Sequence, residues 1–200
     1  MSAIIYLEGG GDSKELHTRC RESFRRLLER CGYREQKRMP RLVACGGRDA
    51  TFDDFCCAHA NGRGQFVALW IDSEDALADL ERTWAHLKAR DGWEQPAGAD
   101  DEQVLFMTTC METWLVTDRA ALKEHYGSRL RDSALPPLSE MEKRLRQDVQ
   151  DSLTHATKEC PNAYSKGKRS FEVLAVVTPA ALEKHLPSFV RVRRILNAKL

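Results

Sequence analysis

The chain has 200 residues, of which 30% are charged and 42% hydrophobic, with a formal net charge of +1. That balance fits one folded domain of ordinary size and excludes a disordered chain, and no apolar run approaches the roughly 18 to 20 residues of a membrane span. The start, Met1 to Glu8, lacks the basic region and long apolar stretch of a signal peptide, which sets the expectation of a cytoplasmic protein.

Ala3 to Leu7 is a short β-branched apolar run that stops at Glu8 and three glycines, the pattern of a buried strand and a tight turn. From Asp12, apolar positions Leu16, Cys20, Phe24, Leu27, Leu28 and Cys31 recur at helical spacing, with Asp12 or Ser13 as the N-cap. Arg41 to Cys45 reads as a second strand ended by Gly46 and Gly47, Thr51 to His59 as a short helix, and Gln65 to Ile71 as a third strand running into Asp72-Ser-Glu-Asp75. Strands that are apolar throughout and alternate with helices predict a mostly parallel sheet with helices on both faces. The right-handed crossover rule then places the carboxyl ends of these strands along one edge.

Beyond Asp75 the pattern weakens. Trp84 to Ala99 reads as a long loop ordered by Trp84 and Trp93, Val104 to Thr108 as a fourth strand, and Cys110 to Leu115 as a helical turn. Asp118 caps a helix reaching about Tyr126; Ser139 and Glu142 form a capping-box pattern that opens a helix running to about Lys158. Short helices punctuated by Pro179 and Pro187 follow from Ser170. The expected organisation is an α/β core over residues 1–118 and a mainly helical extension over 119–200.

Seven cysteines, with no CxxC pair, read as buried thiols rather than as a zinc site or disulfide framework. The small net charge conceals a pattern. Residues 1–45 carry ten basic against six acidic side chains, residues 46–118 five against fifteen, and residues 119–200 sixteen against nine. An acidic centre between basic flanks permits a metal site with polyanion-binding ground around it.

Two acidic strand ends carry the chemistry. Glu8-Gly-Gly-Gly-Asp12 matches neither the dinucleotide fingerprint nor a P-loop, and its carboxylates would repel a bare phosphate. They suit a divalent cation between protein and phosphate, although Asp12 can equally be a helix cap. Asp72 and Glu74 close the third strand on the same predicted edge, and hard oxygen ligands clustered there suit Mg²⁺ or Mn²⁺. The six histidines show no ligand or catalytic spacing. The tail Arg191, Arg193 and Arg194 is a basic helical face for nucleic-acid backbone, or an ordinary solvated helix.

Ile4 to Asp12, with Leu69-Trp-Ile-Asp-Ser-Glu74, resembles a Toprim domain, the fold of topoisomerases, bacterial primases and OLD-type nucleases. Glu8, Asp12 and Asp72 match the family's acidic positions, while Glu74 stands where the family has Asp. With Met111-Glu-Thr-Trp114 and Tyr164-Ser-Lys-Gly-Lys-Arg-Ser-Phe171, nearly the whole chain is similar to an uncharacterised bacterial Toprim-like family encoded beside ATPases in defence loci. The resemblance implies a Toprim/Rossmann-like α/β fold and a metal-dependent endonuclease acting on DNA or RNA, tRNA included. It also implies an antiviral effector with an ATPase partner. By it, Glu8, Asp12, Asp72 and Glu74 hold one Mg²⁺ or Mn²⁺ ion and Glu112 helps hold a second. Lys166 or Lys168 steadies the transition state, with Glu8 and Asp72 counted beside them as catalytic. Arg169 and Ser170 bind nucleic acid, although Ser170 can equally cap a helix there. The alternatives are a non-catalytic metal-binding or regulatory module docking on an ATPase, and a phosphatase or phosphotransferase acting on a small substrate.

Overall fold

A computed structural model describes residues 3–62 and 64–200; Met1 and Ser2, which open the stretch read for a signal peptide, and Arg63 lie outside it. Strand β1 (Ala3–Glu8) leads through the glycine turn to helix α1 (Lys14–Arg30). Ser13, not Asp12, is the N-cap, its hydroxyl accepting from the Leu16 N–H at 3.5 Å. Strand β2 (Arg41–Gly46), helix α2 (Arg48–Asn61) and strand β3 (Phe66–Asp72) follow. Gly47 takes the N-cap of α2, so that helix begins three residues before Thr51 and brings Arg48 into its first turn.

The predicted loop from Trp84 to Ala99 is instead largely helix α3 (Thr83–Asp91), ended by Gly92 in the left-handed conformation. Asp and Gly at its end argue for a loop by composition, yet Trp84 and Leu87, three apart, bury a helical stripe that overrides it. Strand β4 (Val104–Met107) is followed by α4 (Met111–Thr117) and α5 (Arg119–Tyr126), the latter capped by Asp118. The continuous helix expected from Ser139 is broken. A short 3₁₀ turn covers Met141–Lys143, and α6 (Arg146–Thr157) starts only after it. Glu142 does not complete a box with Ser139. Its carboxylate accepts from the Ser188 N–H, 46 residues on, and burial pushes its pKa up. Helices α7 (Lys168–Leu174), α8 (Pro179–His185) and α9 (Pro187–Lys199) complete the chain, each proline of the last two sitting in the first turn where its missing N–H costs nothing.

The four strands form an all-parallel sheet in the order β2-β1-β3-β4. Leu7 pairs with Trp70, and Trp70 with Leu105, so the carboxyl ends of β1, β3 and β4 finish side by side. One face packs against α1 and the helices after β4. The other face, carrying Val67, Leu69, Ile71 and Phe106, packs against Phe55 of α2 and Trp84 and Leu87 of α3. A run of edge-to-face rings ties four elements through the first layer: Phe24 on Trp70 (4.9 Å), Trp70 on Trp114 (5.9 Å) and Trp114 on Phe189 (5.0 Å). Each such pair adds about 0.5–1.5 kcal/mol to the burial of its rings. The helical C-terminal part thus shares its core with the sheet. Among the described residues, no helix is long and apolar enough to cross a membrane.

Candidate active site

The carboxyl edge of the sheet opens into a cleft of about 500 Å³ whose walls include the glycine turn, Glu8, Asp72, Glu112 and Lys166. The turn is built at van der Waals limits. A Cβ on Gly10 would lie 2.6 Å from the His17 ring, and one on Gly46 would lie 2.4 Å from the Gly11 carbonyl; both residues have positive φ. Gly9 and Gly46 exchange backbone hydrogen bonds of 2.8 and 3.1 Å, and the His17 ring holds the Gly11 carbonyl at 2.5 Å. The backbone is fixed there with no side chain in the way.

Glu8 and Asp72 meet across adjacent strand ends. Glu8 Oε2 accepts from the Asp72 N–H at 3.1 Å and from Arg48 Nη1 at 3.2 Å. Asp72 Oδ1 accepts from the Met111 N–H, the first of α4, at 2.8 Å. Among the described residues nothing donates to the other oxygen of either group, Glu8 Oε1 or Asp72 Oδ2. Asp72 is only 9% exposed. Burial first, then the Glu8 and Glu112 charges, push its pKa well above the ordinary carboxylate range, with Lys166 and Arg146 opposing them.

Arg48 is a functional candidate that sequence reasoning missed. It donates to the Asp72 carbonyl at 2.6 Å and to Glu8, grips Asp91 with two nitrogens at 3.0 and 2.8 Å, and lies over the Trp93 ring. Burial alone would raise the Asp91 pKa, but the Arg48 and Arg90 guanidinia outweigh it and hold that carboxylate below its usual range. Its signal was the glycine pair before it, which marks a helix start and so a residue at the strand-end edge.

The remaining expected ligands are distributed unevenly. Asp12 is exposed and is absent from the walls of the cleft, and the described contacts bring it to no other carboxylate. Glu74 adopts a left-handed backbone conformation and turns to Arg146 and, at 3.7 Å, to Arg90. Glu112 is buried, with Oε1 accepting from Tyr164 (2.7 Å) and Ser170 (3.3 Å) and Oε2 from Gln150 (3.2 Å). Ser170 lies inside α7 rather than at its cap, which is Gly167. Among the described residues, no three His, Cys, Asp or Glu side chains close around a common point as a metal cage.

The two candidate lysines separate. Lys166 lines the cleft with Glu8 and Asp72, while Lys168 lines a different groove, between α1 and α7. Arg169 pairs with Glu172 at 2.8 Å. The tail arginines lie at the opposite, amino edge of the sheet. Arg191 is 5% exposed and donates to the carbonyls of Val104 and Asp101 and to Glu81. Arg193 holds the Cys31 carbonyl and Glu183, and Arg194 pairs with Glu81 and Glu102. The structure does not bring these three to the cleft.

The two carboxylate oxygens to which no described residue donates, and the Lys166 ammonium on the same cleft wall, are a donor set open to a cation and an anion together, beside a turn free of side chains. Mg²⁺ and Mn²⁺ fit it, since such ions are commonly held by one or two carboxylates plus waters and substrate phosphate rather than by a protein cage. No curated protein and no solved structure matches the chain. A family model described as Domain of unknown function (DUF4276) matches residues 7–196. Spanning nearly its whole length, that match makes the chain a member of the DUF4276 family.

Proposed function

We propose that this protein is a Mg²⁺- or Mn²⁺-dependent phosphodiesterase that cuts nucleic acid, a Toprim-type nuclease of the cytoplasm. The observation that carries the reading is the pair of oxygens, Glu8 Oε1 and Asp72 Oδ2, left without a donor among the described residues, on adjacent strand ends in the cleft that Lys166 also lines. Glu8 and Asp72 would hold the ion. Held by these two residues, such an ion would supply positive charge for the phosphoryl oxygens and would lower the pKa of a water at neutral pH.

The chain's own residues do the rest. Gly9 to Gly11 let a phosphodiester approach the backbone closely, and the Lys166 ammonium meets the charge that grows on the phosphorus oxygens. Arg48 holds Glu8 at its second oxygen and leaves the first free. Backbone contacts read no sequence, so the cutter is relaxed in specificity and salt-sensitive. The role of antiviral effector with an ATPase partner rests on the family resemblance. One observation favours the non-catalytic alternative: Arg48 already neutralises part of the Glu8 charge, as a purely structural ion pair would.

The test is incubation of the full chain with supercoiled plasmid, single-stranded DNA and tRNA, each with Mg²⁺, Mn²⁺ or EDTA, beside Glu8→Ala. Cleavage that needs the metal and is lost in the variant supports the nuclease. A variant as active as the wild type overturns it, and so does saturable Mn²⁺ binding with no cleavage of any polymer even when a co-expressed partner is retained.

A further inference from the structure

Resting on the reading that Glu8 and Asp72 hold the cation, we propose that Glu112 is not one of its ligands but the anchor of the segment 164–170, positioning Lys166 at the cleft. A carboxylate has about four lone-pair sites, and protein donors already fill three on Glu112. Two of those donors, Tyr164 and Ser170, stand on either side of Lys166 in the chain. Both arms of the turn that carries the lysine are therefore tied to one buried carboxylate, 52 and 58 residues away.

Other contacts converge on the same segment. The Tyr164 N–H donates to Thr157 Oγ1 at 2.9 Å, which fixes the entry to the turn. Phe171, next after Ser170, packs under the glycine turn, 3.3 Å from where a Gly9 Cβ would stand. Burial and the Glu112 charge raise the Tyr164 pKa, so the phenol stays protonated and donating. Lys166 itself is exposed and, among the described residues, makes no salt bridge; the Asp72 charge draws on it through the cleft, and its backbone setting is what holds the ammonium there. A long side chain on a free loop would sample many positions, and placement errors near 1 Å can cost about 10²-fold in rate. The clamp turns the spacing Tyr-x-Lys-Gly-x-x-Ser, with its distant Met-Glu-x-Trp, into one device: two donors, one acceptor and the cation they present.

The proposal is tested by amide hydrogen exchange over 164–170 and by Mn²⁺ titration of the full chain, for the wild type, Glu112→Ala, Glu112→Gln, Tyr164→Phe, Tyr164→Phe with Ser170→Ala, and Asp72→Ala. Glu112→Ala and the Tyr164/Ser170 double variant are expected to speed exchange over the turn at least tenfold, and Glu112→Gln, which keeps an acceptor oxygen, to restore protection. Mn²⁺ affinity should change less than threefold in every Glu112 variant and fall tenfold or more in Asp72→Ala. Should Glu112→Ala fail to fold, the double variant carries the exchange arm alone. In cleavage assays Tyr164→Phe should lower kcat with little change in KM, and add nothing in a Lys166→Ala background, whereas a merely structural role would act additively.

A tenfold loss of Mn²⁺ affinity in Glu112→Gln, or unchanged exchange in the double variant, overturns the anchor. Absence of Mn²⁺ binding in the wild type overturns the underlying cation site instead, and the exchange arm then decides the anchor by itself.

Discussion

The two edges of the sheet treat charge in opposite ways. At the amino edge, Arg191, Arg194 and Lys199 from α9 meet Glu81 and Glu102, and Arg193 meets Glu183, each cation with an acidic partner at 2.8 to 3.2 Å. At the carboxyl edge, Glu8 and Asp72 stand against each other under Lys166, with Arg48 shared among Glu8, Asp91 and the Asp72 carbonyl. The first edge is saturated and holds the fold together. The second leaves the buried Asp72 carboxylate disfavoured in its charged form beside Glu8 and Glu112, which costs stability and is an unmet remainder that a bound cation would answer. Charge density alone does not identify a site; the unmet remainder does.

The sharpest way to break this contrast is to remove the remainder. Asp72→Ala should lower the rate of cleavage by about 10²-fold or more, the scale of losing one preorganised electrostatic group, while the protein stays folded. A gel assay beside a circular dichroism spectrum reads both. Next in size is the opposite edge. Arg191→Met should cost about 2–4 kcal/mol in urea unfolding, because the carbonyls of Val104 and Asp101 lose a buried donor, yet leave metal-dependent cleavage by the folded fraction unchanged.

A pH series sharpens the comparison because the two edges respond with opposite sign. The folded-state pKa of Asp72 is raised, so its contribution to stability is fully present below its ordinary value of 3.8 and is lost as pH rises through the folded value. The Glu102 pKa is lowered, chiefly by Lys199, so its contribution is present above 4.5 and is lost as pH falls through its folded value. In EDTA, Asp72→Asn should therefore flatten the loss of melting temperature toward high pH and leave the loss toward low pH intact. Added Mg²⁺ should raise the melting temperature of the wild type more at pH 8 than at pH 5, and that of Asp72→Asn little at either. The smallest effect belongs to Arg194→Ala. Half-exposed, its pairs with Glu81 and Glu102 should contribute about 0.5 kcal/mol, vanishing in high salt, as paired denaturant titrations at low and high ionic strength would show.

The parts of this picture legible in the sequence are those written by short-range rules. Apolar runs stopped by glycine or acid gave the strands, and their parallel arrangement follows from the intervening helices. It is that arrangement which sets Glu8 beside Asp72. What escaped were partnerships across long separations. Arg48 and Asp91 are 43 residues apart and Glu142 and Ser188 are 46 apart, and nothing local distinguishes such a pair from solvated charge. The tail arginines illustrate the cost. Their spacing on a helix is equally suited to a polyanion, and only the folded chain reveals that Glu81 and Glu102, from the acidic middle, partner Arg191 and Arg194, and that Glu183 partners Arg193. The pairing of Glu74 escaped for a different reason: its left-handed backbone accompanies a carboxylate turned to Arg146, a conformation that no spacing rule anticipates for a glutamate.

The position of α9 across β4 also constrains how the chain is made. β4 is an edge strand, yet it is buried throughout, and the guanidinium that satisfies its first carbonyl comes 87 residues later in the sequence. At about 5–20 residues per second, a ribosome needs roughly 4 to 17 s to deliver that cover. Throughout that interval the nascent sheet carries an apolar, unpaired border, the kind of surface on which strands of neighbouring chains add. Yield in a cell therefore depends on how well that border is shielded between the synthesis of Val104 and that of Arg191.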